Sequence, residues 1–288
     1  MEAIDLLANA AGQARILAGG TDLMPELRSS ASPPEILVDI TRIPDLQGIT
    51  ISPDWVSVGA AVSFAEIKGH PYLQRNVPVL VDAASSIGGG GIQQAATWVG
   101  NIVQAMPAAD GAIAALALEA EAQIVKLDSE TWIPVEDLFL GPGKSIINPA
   151  RELITAIRFP LPAKNILWGT AWRRIGRRTA LILPILNCAV KLVLNPDASP
   201  NRIHKTVLAM GPAGSRPFRA KKAEQFLIGK HPEANIFTQA GELAKKEAQP
   251  RSSPLRASKE YRRAIIPMLI EEALQEAYQR TQRVEIRS

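Results

Sequence analysis

Two glycine-containing turns in the sequence could bind an anion. The first is Gly19-Gly20-Thr21-Asp22, which directly follows the apolar segment "RILA" at residues 15–18. Glycine at the end of a strand permits positive φ and lets backbone N–H groups approach a ligand, and Thr21 adds a hydroxyl donor. The turn matches neither the G-x-G-x-x-G pattern nor the P-loop pattern, so a purely structural turn remains an alternative.

The second turn precedes an apolar segment and ends in a carboxylate. Thr97, the backbone around Gly100 and the Asn101 amide offer further donors, and Pro107 fixes a turn ahead of Asp110. Asp110 either caps the helix that follows or accepts hydrogen bonds from ligand hydroxyls, as acidic residues do for ribose in dinucleotide sites. Two donor-rich turns in separate lobes, one ending in an acid, would suit one long ligand with a diphosphate in its middle.

The composition is that of an ordinary soluble globular protein of two or three lobes. The chain has 288 residues, 47% hydrophobic and 21% charged, with a formal net charge of +4. The basic runs "WRRIGRR" and "YRRAI" are too short for a nucleic-acid arm, and Trp172 is their only aromatic platform. They indicate a solvated or subunit-facing surface, or a site for a ligand phosphate.

Cysteine usage and hydropathy predict a cytoplasmic protein. Cys188, the single cysteine, lies in an apolar run and is expected to be a buried thiol. It can form no internal disulfide and cannot by itself hold a metal or iron–sulfur cluster, which fits a reducing compartment. The sequence shows neither a signal peptide nor an apolar run of the roughly 20 residues that span a bilayer.

The elements that position the two turns follow from periodicity and turn residues. We predict a helix over residues 2–11, then a strand, a glycine turn, a helix and a strand in a small βαβ-like unit. A strand begins at Trp55, and two short helices separated by His70-Pro71 and Pro78 follow it. The apolar segment 108–120 predicts a buried helix, and three further segments predict strands and a turn.

The remainder predicts a separate α+β lobe. Three strands, with turn signals such as Asn195-Pro196-Asp197, precede helices at about 220–229, 236–249 and 258–280. Pro267 is expected to kink or split the last helix. The predicted divisions are an N-terminal lobe over 1–50, a second lobe over 51–162 and a C-terminal domain over 163–288.

Three sequence segments resemble the FAD-binding medium subunits of molybdenum hydroxylases, the family of xanthine dehydrogenase and aerobic carbon monoxide dehydrogenase. The segments are "AGGTDL", "ATWVGNIVQAMPAAD" and "SKEYRR". The resemblance implies an α+β fold: a two-lobe FAD-binding unit of the vanillyl-alcohol-oxidase-like (PCMH) type, and a C-terminal α+β domain with a three-stranded antiparallel sheet. It also implies a molybdopterin-binding large subunit and a [2Fe–2S] small subunit as partners, in a dimer of heterotrimers. Electrons would pass from the clusters through FAD to an external acceptor.

The resemblance also assigns site residues, none of them catalytic or metal-binding. The FAD pyrophosphate would lie on the first turn, and the second turn would bind the same cofactor. Asp110 would face the ligand, Ile154 would lie beside the flavin, and Arg173 would lie near the ring, where its charge favours the anionic reduced form. The two turns comprise Ile16, Leu17, Ala18, Gly19, Gly20, Thr21, Asp22 and Leu23, and then Thr97, Trp98, Val99, Gly100 and Asn101.

Two departures from the family pattern leave other functions open. Val99 replaces a usual glycine, and four glycines occupy residues 88–91. If residue 99 needs positive φ, a β-branched side chain there should weaken FAD binding. One alternative is therefore a degenerate structural subunit that has lost FAD. Another is a freestanding FAD-dependent oxidoreductase, although none of the three histidines has a paired carboxylate in the sequence.

Overall fold

The first lobe is built around a parallel pair of strands. The structure, a computed structural model, describes residues 2–177, 183–195 and 201–285. The strands pair in parallel from Ala14↔Ile36 to Leu17↔Asp39, which confirms the predicted βαβ-like unit. In chain order the elements are α1 (Glu2–Asn9), β1 (Ala14–Leu17), α2 (Leu23–Ser29) and β2 (Ile36–Asp39).

The second lobe is an antiparallel five-stranded sheet with helices packed on one face. The strands are β3 (Ile49–Ile51), β4 (Trp55–Gly59), β5 (Glu121–Val125), β6 (Glu130–Pro134) and β9 (Leu153–Pro160), in the spatial order β3-β4-β9-β5-β6. Alternation in β4 buries Val56 and Val58 on the helical side. A short hairpin, β7 (Phe139–Gly141) and β8 (Lys144–Ser145), lies between β6 and β9.

Six helices connect β4 to β5 and carry the second turn. They are α3 (Phe64–Gly69), α4 (Pro71–Asn76), α5 (Pro78–Ser86), α6 (Gly90–Ala95), α7 (Trp98–Val103) and α8 (Asp110–Ala117). The prediction of two helices before the glycine run is wrong, because Pro71 and Pro78 each start a new helix at its first position. Every residue of α8 is buried, as its uniform apolarity predicts.

The C-terminal domain has an antiparallel sheet covered by helices. Its long strands, β10 (Trp168–Ile175), β11 (Leu186–Asn195) and β12 (Arg202–Gly211), are the three predicted ones. A two-residue fourth strand, β13 (Phe218–Arg219), is too short to leave a periodic signal in the sequence. Three helices follow: α9 (Lys221–Leu227), α10 (Ala234–Glu247) and α11 (Lys259–Glu285). In the predicted turn Asn195-Pro196-Asp197, Pro196 and Asp197 lie outside the described residues.

Helix α11 continues through Pro267, so the predicted split does not occur. Its buried apolar residues lie on both sides of the proline, from Ile266 to Ala277. Gly241 of α10 lies so close that an added Cβ would be 2.6 Å from the Pro267 carbonyl oxygen. Burial against α10 and the sheet offsets the missing hydrogen bond.

Strand β10 joins the C-terminal domain to the second lobe beside α5. The indole N–H of Trp172 donates to Ser86 Oγ at 3.0 Å, and the Val79 N–H donates to Thr170 Oγ1 at 3.3 Å. Farther along the same contact, Arg280 of α11 forms an ion pair with Asp82 at 3.3 Å. These contacts hold β10 and β11 next to α8, where the second turn ends.

Candidate functional site

The first turn needs glycine at two positions for two different reasons. Gly20 has φ +67°, which a side chain disfavours. A Cβ added to Gly19 would be 1.8 Å from the carbonyl oxygen of Ala95 at the end of α6. Gly19 therefore lets the first turn lie directly against the segment that leads into the second turn.

The first turn presents unpaired backbone donors. Within the described part of the chain, the N–H groups of Gly19, Gly20, Thr21 and Asp22 donate no hydrogen bond to another group. Successive N–H groups of this kind form a concave site for an anion. The predicted anion-binding chemistry of this turn thus has the donors that it requires.

The second turn is the start of a short helix. Thr97 caps α7, and its Oγ1 accepts from the Gly100 N–H at 3.0 Å. Val99 lies inside that helix and does not have positive φ, so the expected strain at this position is absent. Asn101 lines the cavity, but its Oδ1 lies beside Gly111 of α8, is enclosed by protein and has no hydrogen-bond partner among the described residues.

Asp110 is a buried carboxylate held by the C-terminal domain. It is 5% exposed and is the first residue of α8, while Ala109 occupies the N-cap position. Its Oδ1 accepts from Asn187 Nδ2 at 2.5 Å and lies 3.7 Å from Arg174 Nε. Burial raises the pKa of Asp110 to about 6, and the Asn187 hydrogen bond and the Arg174 charge oppose this rise.

One cavity brings the two turns together. Its volume is about 1110 Å³, above the upper end of about 1,000 Å³ that is usual for small-molecule pockets. Lys144 of the β7–β8 hairpin also lines it. The predicted site residues that line the cavity are Ile16, Ala18, Gly19, Gly20, Thr21, Asp22, Leu23, Thr97, Val99, Gly100, Asn101, Asp110 and Ile154.

Three predicted site residues do not line the cavity. Leu17 points away from its neighbour Ile16, because side chains alternate along a strand. Trp98 is fully buried in the core, where its indole N–H donates to the Gly111 carbonyl at 2.9 Å. Arg173 forms ion pairs with Glu276 and, at 3.6 Å, with Glu272 of α11.

Arg174, which the sequence analysis did not select, replaces Arg173 at the cavity. The two residues are neighbours on β10, so their side chains lie on opposite faces of the sheet. The sequence shows two adjacent arginines at this position. Which of them faces the cavity depends on the register of β10 with β11, where Arg174 pairs with Asn187. The C-terminal domain thus contributes a cation to the cavity wall.

Comparisons with known proteins agree with this geometry. Residues 1–162 match the model of the FAD binding domain in molybdopterin dehydrogenase, and residues 171–277 match that of the CO dehydrogenase flavoprotein C-terminal domain. The chain belongs to this family of FAD-binding subunits. Its cofactor is FAD, and it is a subunit of an oxidoreductase that uses this cofactor.

Individual relatives cover almost the whole chain. The xanthine dehydrogenase FAD-binding subunit of Escherichia coli O157:H7 is 32% identical over 278 residues, which are 96% of this chain and 92% of the relative. The carbon monoxide dehydrogenase medium chain of Hydrogenophaga pseudoflava is 26% identical over 97% of this chain and 94% of its own length.

Solved structures give the same result for the fold. A carbon monoxide dehydrogenase structure from Hydrogenophaga pseudoflava, which lacks the Mo-pyranopterin moiety, superposes with a TM-score of 0.87 at 27% identity, over 97% of this chain and 94% of that one. Quinoline 2-oxidoreductase from Pseudomonas putida 86 gives 0.85 at 25% identity, over 96% and 93% of the two chains. The predicted α+β, PCMH-type fold is confirmed.

The cavity residues fit FAD. The unpaired N–H groups of the first turn suit a pyrophosphate, and the close approach at Gly19 leaves no room for a side chain between the turns. The carboxylate oxygens of Asp110 provide acceptors for hydroxyl or amide groups. These donors and acceptors are distributed along one cavity rather than gathered at one point, as an extended dinucleotide requires.

Two neighbouring arginines provide a matched test of which one influences the bound flavin. We expect Arg174→Ala to lower the midpoint potential of the bound FAD by roughly 30 mV, which corresponds to about 1.4 kcal/mol for a two-electron couple. Arg173→Ala should leave the potential unchanged and lower the melting temperature instead, because Glu272 loses its ion pair with Arg173 and Glu276 keeps only Arg280 as a partner. Spectroelectrochemical titration of both variants measures the effect. If only Arg173→Ala lowered the potential, Arg173 rather than Arg174 would be the residue whose charge favours the reduced flavin.

The described residues contain neither a membrane-spanning helix nor a cluster of metal ligands. No described helix is long and apolar enough to span a membrane. No group of three metal-ligating side chains occurs among the residues that the structure describes. Cys188 is buried as expected, and burial raises the pKa of its thiol to about 12.

Proposed function

We propose that this chain is the electron-relaying medium subunit of a molybdenum hydroxylase, placed between the [2Fe–2S] small subunit and an external electron acceptor. A molybdopterin-binding large subunit would oxidise the substrate, and the assembly would be a cytoplasmic dimer of heterotrimers. FAD, when bound, supplies both one-electron and two-electron redox chemistry. The relatives support the proposal because one is named a medium chain and another is named the alpha subunit of the 6-hydroxypseudooxynicotine dehydrogenase complex.

In this proposal the chain binds and orients FAD and carries out no proton chemistry of its own. The N–H groups of the first turn bind the pyrophosphate, and Asp110 accepts hydrogen bonds from cofactor hydroxyls. Ile154, which is 2% exposed and lines the cavity, packs against the ring system. Arg174 provides a positive charge in the same cavity. The proposed contacts therefore fix the position of the cofactor relative to whatever protein covers the cavity mouth.

The observation that carries the proposal is an apolar rim on the cavity. Leu140, Leu183 and Ile92 line the cavity and are nevertheless 67%, 59% and 44% exposed. Leu140 belongs to the β7–β8 hairpin, and Ile92 belongs to α6. Exposed apolar side chains around a binding site are typical of a surface that another protein covers. A partner at this rim would reach the cofactor without any movement of the core.

Charge substitution on the rim tests the proposal. We expect Leu140→Asp to lose co-elution with the iron–sulfur subunit, because a carboxylate would be desolvated in the interface. Leu127→Asp is the matched control, since Leu127 is 57% exposed in the β5–β6 turn and does not line the cavity. Co-expression of the three subunits, followed by size-exclusion chromatography and native mass spectrometry, measures the complex and its copy number.

Electron flow is tested on the purified complex. Substrate of the large subunit should bleach the flavin absorbance of the complex assembled with wild-type chain. It should leave the flavin oxidised when the Leu140→Asp chain replaces it, while dithionite bleaches both. A chain that is reduced directly by an organic substrate, with no partner present, would instead establish a freestanding flavoenzyme. A chain that takes up no FAD would be a structural subunit.

A further inference from the structure

We infer that Asn187, a side chain of the C-terminal domain, is a positioning residue for the FAD site: it holds the Asp110 carboxylate ionised and oriented toward the cofactor. The inference rests on the proposed function, in which Asp110 accepts hydrogen bonds from FAD. Asn187 does not line the cavity, so it acts through residues that do, chiefly Asp110. Through its contact with Asp110, Asn187 would make the affinity for FAD depend on the packing of the C-terminal domain.

The geometry leaves Asn187 little choice of orientation. Its side chain is fully buried, and Nδ2 donates both to Asp110 Oδ1 at 2.5 Å and to the Ala108 carbonyl at 3.2 Å. Both acceptors belong to the segment that leads into α8, and both residues line the cavity. One amide group thus fixes the carboxylate relative to its own backbone. A hydrogen bond to Oδ1 leaves Oδ2 available for a cofactor hydroxyl.

Asn187 is unusual for its place in the sheet. Asn187 is the second residue of β11, in a run that is buried from Leu186 to Leu194. Lys191, the other polar residue of that run, forms an ion pair with Glu119. An asparagine buried in such a strand costs free energy unless its amide is paired. Its Nδ2 is paired twice, but its Oδ1 has no partner among the described residues. The side chain therefore serves mainly as a donor to the α8 segment.

Few groups face Asp110. Within the described chain, Arg174 from β10 is the charged side chain within 4 Å of it, and Asn187 from β11 is its hydrogen-bond donor. At Gly111, the next residue of α8, the α7 helix contributes the neutral side chains of Asn101 and Trp98. Because burial opposes ionisation, loss of the Asn187 donor should make Asp110 harder to deprotonate. The predicted signature is a change in the pH at which FAD affinity is lost.

The experiment measures FAD affinity of the full chain by flavin fluorescence between pH 5 and pH 8. For the wild-type chain, affinity should fall as Asp110 becomes protonated below about pH 6. In Asn187→Leu, which removes the donor but keeps the same number of side-chain heavy atoms and the same branching, the midpoint should rise by about one pH unit. Asp110→Asn should bind more weakly and lose the pH dependence. In the Asp110→Asn background, Asn187→Leu should introduce no pH dependence.

Controls separate positioning from a merely structural role. Thr206→Val removes another buried hydrogen bond of the same sheet, from Thr206 Oγ1 to the Lys191 carbonyl, and should leave the midpoint unchanged. Asn187→Ser, whose hydroxyl is one bond too short to reach Asp110, replaces Asn187→Leu if the latter does not fold. A uniform loss of affinity with an unmoved midpoint in the Asn187 variant would overturn the inference. An unaltered pH dependence in Asp110→Asn would instead overturn the assignment of Asp110 to FAD.

Discussion

Asp110→Asn is expected to stabilise the apoprotein above pH 6 while it weakens FAD binding. The folded-state pKa of Asp110 is raised from 3.8 to about 6, so the folded protein binds this proton more tightly than the unfolded chain does. Stability therefore falls as the pH rises from about 4 to 6, and the ionised carboxylate costs about 3 kcal/mol at pH 7. The asparagine variant avoids this cost, whereas FAD loses a charged acceptor worth roughly 10- to 100-fold in affinity.

The pH dependence of unfolding distinguishes this explanation from general repacking. Urea unfolding of the apoprotein should show the variant to be more stable at pH 8 and no more stable than wild type at pH 4. In saturating FAD the advantage of the variant should shrink by about 1.4 to 2.7 kcal/mol, the free-energy equivalent of a 10- to 100-fold loss of affinity, because ligand binding stabilises the folded state in proportion to the logarithm of affinity. Equal stability of the two apoproteins at pH 8 would mean that Asp110 is not an unfavourable buried charge.

Gly19→Ala should abolish stable FAD binding. The added methyl group would overlap the Ala95 carbonyl oxygen at 1.8 Å, and both partners are backbone, so the first turn must move away from the end of α6. We expect FAD affinity to fall by at least about 100-fold, or about 2.7 kcal/mol, because the N–H groups of the turn leave the cavity. Strain of this kind also destabilises the apoprotein by about 4 kcal/mol. Flavin content after purification and urea unfolding measure the two effects.

Gly91→Ala is the matched control on the facing segment. Gly91 lies in α6, and an added Cβ there meets nothing within 4 Å. Alanine should therefore stabilise the helix by up to about 1 kcal/mol and retain FAD. If Gly91→Ala lost FAD as fully as Gly19→Ala, the loss could not be attributed to the contact between Gly19 and Ala95.

The two turns that line the cavity could be located in the sequence because the reasons for their residue types, steric and chemical, act locally. Gly19 and Gly20 were selected for close approach and positive φ, and the structure assigns one of these reasons to each. Asp110 was selected as a carboxylate after a donor-rich turn, and it lines the cavity, although Asn187 and Arg174, which contact it there, come from the distant C-terminal domain. The roles of these residues toward FAD stay predictions until they are tested.

The sequence did not predict side-chain positions that depend on packing between distant segments. The choice between Arg173 and Arg174 is a question of strand register, which a one-residue difference reverses. Whether residue 99 needs positive φ could not be decided from the replacement of a glycine by Val99, and α7, which begins one residue earlier, gives Val99 ordinary helical geometry. Asn187 was missed, although a polar residue in the apolar run "ILNCAVKLVL" was a visible signal for a buried contact.

Strands β10 and β11 bring Arg174 and Asn187 of the C-terminal domain against Asp110, so the binding cleft is shared between the segments that the two family models match separately. A gene fragment that ends near residue 162 would encode a cleft with one wall missing. A chimera that joins the N-terminal half of this chain to the C-terminal half of a relative would place Asp110 beside the relative's residues at the positions of Arg174 and Asn187. A chimera of two paralogues should therefore retain FAD only where the contacts of Asp110 with both Arg174 and Asn187 are present.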